Sequence, residues 1–76
     1  MNTDLIIEQI ENDLNALAEE QLVAASNERL WAKGADSAEE AELHEQNADH
    51  YRRMSDFYRY LASRALDLIE SFMEEE

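Results

Sequence analysis

The sequence lacks cysteine and proline, and it has one glycine among its 76 residues. Without cysteine, the chain has no disulfide framework and no thiolate for metal binding or redox chemistry. A single glycine cannot form the glycine-rich loop that holds phosphate groups. The absence of proline, together with many alanine, leucine, glutamate and arginine residues, favours helix throughout. At this length we expect a single helical domain over residues 1–76.

Basic residues are also scarce. The chain has 6 Lys+Arg against 19 Asp+Glu, a formal net charge of -13. Phosphates and anionic membrane surfaces repel such a chain, which argues against direct binding to nucleic acid or membrane. No apolar run approaches the ~18 residues that a membrane span needs, and residues 1–8 lack the basic start of a secretory signal. We therefore expect a cytoplasmic protein.

High net charge is typical of disordered chains, but this sequence has features of a folded one. Its hydrophobic fraction is 45%, and the apolar residues recur at helical spacing. A domain of this size buries only ~60% of the surface that its unfolded chain exposes. The stability of a lone monomer is therefore marginal, which favours self-association or a partner.

One short segment carries the signals of a turn, at residues 34–37. Gly34 suits the left-handed residue that follows a helix C-terminus. Ser37 and Glu40 have the spacing of a capping box, in which each side chain reaches the backbone N–H of the other residue. We therefore predict that one helix ends before Gly34 and that another begins after Ser37.

These signals predict an antiparallel two-helix hairpin with helices over residues 4–33 and 38–73. Each helix carries an apolar stripe whose spacing alternates between three and four residues, as a helix–helix seam requires. The first stripe consists of Ile7, Ile10, Leu14, Leu17, Gln21, Ala24, Glu28 and Trp31. The second consists of His44, Ala48, Tyr51, Ser55, Tyr58, Ala62, Ala65, Ile69 and Phe72. We expect Trp31 to fill space beside the small residues near the turn.

The second helix has more apolar surface than one seam can cover. A further stripe lies beside the first and consists of Leu43, Met54, Phe57, Leu61 and Leu68. Large exposed apolar patches mark interaction surfaces, so we expect a homodimer that forms a four-helix bundle. The alternative is a break in the first helix near residues 25–27, which gives a compact three-helix bundle.

Metal ligation is the strongest chemical candidate, because Glu40 and His44 lie four residues apart on one helix face. Di-metal helical bundles use a Glu-x-x-His motif. Here Ala41 stands three residues before His44, and Asn47 stands three residues before His50. The motif fails at both histidines, so we predict no metal site and no cofactor.

Enzymatic activity has little support in the sequence. Pairs of carboxylates are inevitable among 19 acids, and a catalytic pair needs a concave, partly dry site that separates its pKa values. A narrow alanine-rich hairpin has little room for such a pocket. No serine or threonine has a recognisable histidine or aspartate context. We predict a protein that is not an enzyme and has no catalytic residues.

The distribution of acids is more informative than their number. Residues 34–50 hold six acids and no base, whereas residues 51–76 hold six acids and four bases. The acids that we expect to provide partner electrostatics are Glu39, Glu40, Glu42, Glu45 and Asp49. Acids three or four residues apart on a helix are ~6 Å from each other, a spacing close to that of phosphates along a nucleic-acid strand. The simplest rival interpretation is a solvated surface that keeps a small protein soluble.

The first functional prediction is a small acidic binding protein that blocks the basic, nucleic-acid-binding surface of a partner protein. Trp31, Arg53 and Tyr60 are its candidate anchors, because interface hot spots favour these residue types. Small single-domain inhibitors encoded by phages and other mobile elements, including anti-CRISPR-like proteins and DNA mimics, have this build. This comparison is an analogy of class, and it implies no shared family.

The alternative prediction is a helical adaptor that resembles a secretion chaperone in its build. It would bind an amphipathic helix of a partner through an exposed apolar face. In that case the stripe that includes Leu43, Phe57 and Leu68 would carry the interaction. The two predictions differ in whether charge or apolar contact dominates binding.

Overall fold

A computed structural model describes residues 3–74 of the chain. It contains three helices, α1 (Thr3–Lys33), α2 (Ala38–Ser63) and α3 (Ala65–Glu74), and no strand within the described residues. The predicted all-helical character is confirmed. The sequence predicts two helices, however, and the structure has three.

The turn between α1 and α2 is closed by a helix cap. Ser37 has an extended backbone, and its side chain accepts a hydrogen bond of 3.1 Å from the backbone N–H of Glu40. The Glu40 carboxylate accepts from the backbone N–H of Asp36, at 3.3 Å, and not from that of Ser37. Gly34 does not have the positive φ that we predicted. Its N–H instead continues the helical pattern by donating to the carbonyl of Leu30.

The predicted helix over residues 38–73 is interrupted at Arg64, whose φ of -107° and ψ of 3° depart from helical values. The Ser63 hydroxyl donates a hydrogen bond of 2.7 Å to the Tyr60 carbonyl. A serine side chain that bonds to a nearby carbonyl competes with the backbone ladder of a helix. The N–H of Leu68 then donates to the Arg64 carbonyl and restarts the helical pattern in α3.

The alternative prediction, a break in the first helix, is wrong in its position. α1 is continuous from Thr3 to Lys33, so residues 25–27 lie inside a regular helix. Serine and asparagine lower helix propensity by well under ~1 kcal/mol each. Contacts along the rest of the helix outweigh a penalty of that size.

α1 and α2 lie side by side and run in opposite directions. Near the turn, Glu28 contacts His44, and farther away Glu19 contacts Arg59. At the open end of the molecule, α1 and α3 meet where Ile10 and Leu14 line one groove with residues of α3. These contacts show which residues of α1 lie beside which residues of α2 along the antiparallel pair.

Small side chains form the seam between the long helices. The buried positions of α2 are Ala48, Ser55 and Ala62, which lie seven residues apart, and α1 contributes Ala18 and Ala25. Residues with a seven-residue spacing return to nearly the same helix face. Since none of these side chains extends beyond one heavy atom past Cβ, the two backbones can approach closely.

The stripe predicted for α1 is wrong at three of its eight positions. Ile10, Leu17 and Trp31 are 36%, 39% and 56% exposed, whereas Ala18 and Ala25 are buried. Close approach of the backbones selects these alanines, because large side chains at the seam would push the helices apart. The stripe predicted for α2 is buried or half-buried from His44 to Ile69. The exception is its last member, Phe72, which is 70% exposed.

The result is an elongated single layer of helices. The molecule measures 55 × 20 × 13 Å along its principal axes, and its radius of gyration is 17.2 Å. A compact domain of this length has a radius of gyration of about 11 Å. A thickness of 13 Å corresponds to one helix with its side chains. The seam is therefore the only interface that the long helices share, and both broad faces are open.

Candidate functional site

The turn end of the molecule carries a dense group of carboxylates, which we call the acidic turn surface. Its members are Asp36, Glu39, Glu40, Glu42, Glu45 and Asp49, and all are exposed. Glu40 is engaged in the cap of α2. Within residues 3–74, none of the other five forms an ion pair shorter than 4 Å. Their charge is therefore available to a partner.

Two bases of α1 lie close to part of this surface. Arg29 and Lys33 line a cleft of about 410 Å³ together with Glu45 and Asp49. The sequence analysis missed this proximity because the bases precede the turn in the chain and residues 34–50 contain none. The available signal was their position in the last turns of α1, beside the first turns of an antiparallel neighbour. Asp36, Glu39 and Glu42 do not line this cleft.

A buried carboxylate joins the two helices beneath the acidic turn surface. Glu28 is 8% exposed, and its Oε2 lies 2.5 Å from Nδ1 of His44. The Trp31 ring packs against the His44 ring, with the centroids 5.9 Å apart. Buried charged groups are retained where they have such a partner. This pair holds the end of α1 against α2 and so fixes the geometry of the surface above it.

The three predicted anchors do not come together in one place. Trp31 and Tyr60 are each 56% exposed, and Arg53 is exposed as well. Trp31 lies near the turn, whereas Tyr60 lies close to the end of α2. Arg53 and Tyr60 are seven residues apart and so share one line along α2. The pair could contact one partner region, and Trp31 would contact another.

Tyr60 also has a neighbour that sequence reasoning missed. The guanidinium of Arg64 lies 5.8 Å from the centroid of the Tyr60 ring, a cation–π arrangement. A hydrogen bond with Tyr60, and then the charges of Tyr60 and Asp67, raise the pKa of Arg64 above its ordinary value. Arg64 therefore remains a fixed positive charge at the junction of α2 and α3.

One broad side of the molecule carries a group of apolar residues in the half away from the turn, and we call this group the apolar face. It comprises Ile6, Ile10, Leu17, Met54, Phe57, Leu61 and Leu68, which are exposed or half-buried. A groove of about 180 Å³ runs along part of it, lined entirely by apolar residues that include Ile10, Leu14 and Leu61. Four of the five residues of the predicted second stripe belong to this face. The fifth, Leu43, is 56% exposed nearer the turn.

The described residues offer little for other chemistry. No three histidine, aspartate or glutamate side chains within residues 3–74 come together as metal ligands would. In the same part of the chain, every helix is too short or too polar to cross a membrane. What the structure presents is therefore two surfaces, one acidic and one apolar.

Comparisons with protein-family models, with curated proteins and with solved structures find no match to this chain.

Proposed function

We propose that this protein is a non-enzymatic binding protein that docks its acidic turn surface against the basic, nucleic-acid-binding surface of a partner and blocks it. The observation that carries the proposal is the group of exposed acids that have no ion-pair partner at this end of the molecule. Of these acids, Asp36, Glu39 and Glu42 do not line the cleft that contains the two bases of α1. An unpaired array of like charges steers association with a surface of opposite charge.

The rigidity of the turn end supports this role. The Ser37 cap closes α2, and the contact of Glu28 with His44 joins the helices beneath the acids. A surface that is ordered before binding loses less conformational entropy when the complex forms. The acids therefore present a fixed pattern to a basic groove.

We also propose that the apolar face is covered by a second copy, which completes a four-helix bundle. The molecule measures 55 × 20 × 13 Å, so its thin layer of helices leaves a broad side on which a second copy can pack. Such a dimer would remove the exposed apolar side chains of this face from water. The partner of the acidic turn surface and the second copy occupy different sides of the molecule.

Charge reversal at matched positions tests the proposed function. The double variant E42K/E45K and the control E70K/E74K each change the net charge from -13 to -9, and all four side chains are exposed. Tagged proteins are used to capture partners from the native host at ~0.1 M and ~1 M salt, where the Debye length falls from ~10 Å to ~3 Å. We expect a basic nucleic-acid-binding protein that is lost with E42K/E45K and at ~1 M salt but is retained with the control.

Two results would contradict the proposed function. One is partner binding that persists undiminished at ~1 M salt, since screening is then nearly complete. The other is an equal loss of the partner with both charge-reversal variants, because it would assign the effect to net charge and not to the turn. Circular dichroism of each variant checks that the helices remain formed.

A second candidate function is favoured by the exposed apolar face. A helical adaptor would lay this face against an amphipathic helix of its partner. The double variant F57Q/L61Q would then abolish partner binding, and E42K/E45K would leave it intact. The opposite pattern favours the acidic inhibitor.

A further inference from the structure

We infer that Trp31 is the binding platform for an arginine side chain of the partner, so that the protein recognises a guanidinium group beside its acidic turn surface. This role for Trp31 rests on the proposed function and adds the chemical group that the partner presents. Two features of the structure support it. One is an exposed tryptophan ring that the fold holds in place, and the other is the negative charge around that ring.

Trp31 is unusual because it is the single tryptophan of the chain and yet lies mostly outside the core. It is 56% exposed, whereas tryptophan is highly buried on average in folded proteins. The seam between the long helices is filled by small side chains instead, such as Ala25 and Ala48. Tryptophan is enriched among the residues that contribute most to binding at interfaces. Its exposure is therefore better explained by a ligand than by packing within the chain.

The exposed ring is nevertheless held in position by two neighbours. Its centroid lies 5.9 Å from that of the His44 ring, and the two ring planes are tilted by 59°. The His44 ring is held in turn by the buried Glu28 carboxylate, whose Oε2 lies 2.5 Å from Nδ1. A side chain that is ordered before binding loses less conformational entropy in the complex. Trp31 therefore offers a ring whose position is set before a ligand arrives.

The charges near Trp31 favour a cationic ligand. Glu40 lies one helical turn before His44 and so on the same face of α2. Its carboxylate reaches back to the backbone N–H of Asp36, at 3.3 Å, and the side chains of both acids are exposed. Negative charge at this end of the molecule attracts a cation. The face of a tryptophan ring is itself the best aromatic surface for a cation.

Arginine fits this site better than lysine does. Its guanidinium group is planar and weakly hydrated, so it can stack on an aromatic ring while its N–H groups donate to carboxylates. The chain already contains one such contact, because the guanidinium of Arg64 lies 5.8 Å from the centroid of the Tyr60 ring. Within residues 3–74, no arginine or lysine lies over the Trp31 ring in this way. The ring can therefore receive a guanidinium group from the partner.

Binding of short cationic peptides to the full-length chain tests this role. The probes are labelled octa-arginine and octa-lysine, which carry equal charge, and fluorescence anisotropy at ~0.1 M salt gives their affinities. Trp31→Leu removes the aromatic ring and keeps a large apolar side chain. The matched control is Tyr60→Leu, because Tyr60 is also 56% exposed but lies far from the turn. Circular dichroism checks that both variants remain helical.

We expect the native chain to bind octa-arginine more tightly than octa-lysine. Trp31→Leu should reduce this preference by about two- to fivefold, which is the effect of one exposed cation–π contact. The control should keep the native preference. Because the chain has a single tryptophan, unlabelled octa-arginine should also change the emission of Trp31 in the native chain, with the same midpoint as the anisotropy titration.

Four results would overturn this role of Trp31. They are an absence of octa-arginine binding, an unchanged preference in Trp31→Leu, an equal loss of preference in Tyr60→Leu, and a Trp31 emission that octa-arginine does not change. None of them alters the salt-dependent capture of a partner or its expected loss with E42K/E45K. A failure of this role is therefore distinguishable from a failure of the proposed function.

Discussion

Ser55 lies at the centre of the seam, and its hydroxyl provides a sharp test of how the two long helices pack. The residue is 1% exposed, and its Oγ has no hydrogen-bond partner within the described chain. A buried polar group without a partner costs about 1–3 kcal/mol. We therefore expect Ser55→Ala to stabilise the protein, because it removes this cost.

Two smaller effects also contribute to the change in the free energy of unfolding that we expect for Ser55→Ala. Alanine has a higher helix propensity than serine, worth up to about 0.5 kcal/mol. Loss of a single oxygen atom leaves a small gap, and a void of that size costs about the same amount through lost contacts. The two effects nearly cancel, so we expect a gain of about 1–3 kcal/mol in the free energy of unfolding.

Urea denaturation followed by circular dichroism measures this gain at a fixed protein concentration. With a slope of about 1 kcal/mol/M for a protein of this size, the urea midpoint should rise by about 1–3 M. The control is Ser63→Ala, an exposed serine of the same helix whose hydroxyl donates to the Tyr60 carbonyl. We expect the midpoint of the control to move much less. A midpoint for Ser55→Ala that is unchanged or lower would refute the description of Ser55 Oγ as a buried group without a hydrogen-bond partner in a closely packed seam.

Three further substitutions test the ends of the helices. Gly34→Ala should stabilise the protein by about 0.4–1 kcal/mol, because Gly34 has no positive φ and an added Cβ would approach no heavy atom closer than 3.9 Å; a loss of stability in urea would indicate a left-handed Gly34. His44→Ala should cost about 1–3 kcal/mol, since it leaves the buried Glu28 carboxylate without its partner; an unchanged thermal midpoint would contradict the contribution of this pair. Ser37→Ala should cost about 1 kcal/mol through loss of the cap of α2, and hydrogen exchange should show faster opening of the first turn; exchange at the native rate would mean that the cap contributes nothing.

The turn and the helical character could be read from the sequence because local chemistry determines them. Ser37 and Glu40 carry a capping pattern whose energetics depend on a few neighbouring residues. The start of α2 follows from that pattern, and Lys33 ends α1 as expected. Gly34 is the local exception, since the chain turns there without a left-handed residue.

The seam of α1 could not be read in the same way, because it depends on the distance between two helices. Ile10 and Leu17 are larger and more apolar than Ala18, and they fit a heptad pattern better. The heptad pattern therefore assigned Ile10 and Leu17, and not Ala18, to the seam. Because α2 has the small residues Ala48 and Ser55 at its seam, the backbones of α1 and α2 can approach closely. The alanines of α1, and not its larger side chains, then pack between the two helices. The regular seven-residue spacing of small side chains in both helices was the signal that could have predicted it.

The pattern of apolar and charged residues along the sequence could not predict the break at Arg64 or the cleft beside the turn. Arg64 has high helix propensity, and the hydrogen bond of Ser63 to a carbonyl three residues earlier is a choice of rotamer that the sequence does not encode. The proximity of Lys33 to Asp49 follows from the packing of two helices and not from the order of charges along the chain. The other acids of the turn surface, Asp36, Glu39 and Glu42, do not line this cleft.

The proposed homodimer uses the apolar face of this thin molecule as the interface between its two copies. Sedimentation equilibrium of the native chain over a range of concentrations tests it most directly. A homodimer has a mass of twice the 8.8 kDa of the chain, and we expect Phe57→Glu to return the mass toward that of one chain. A mass of 8.8 kDa for the native protein at every concentration would contradict it.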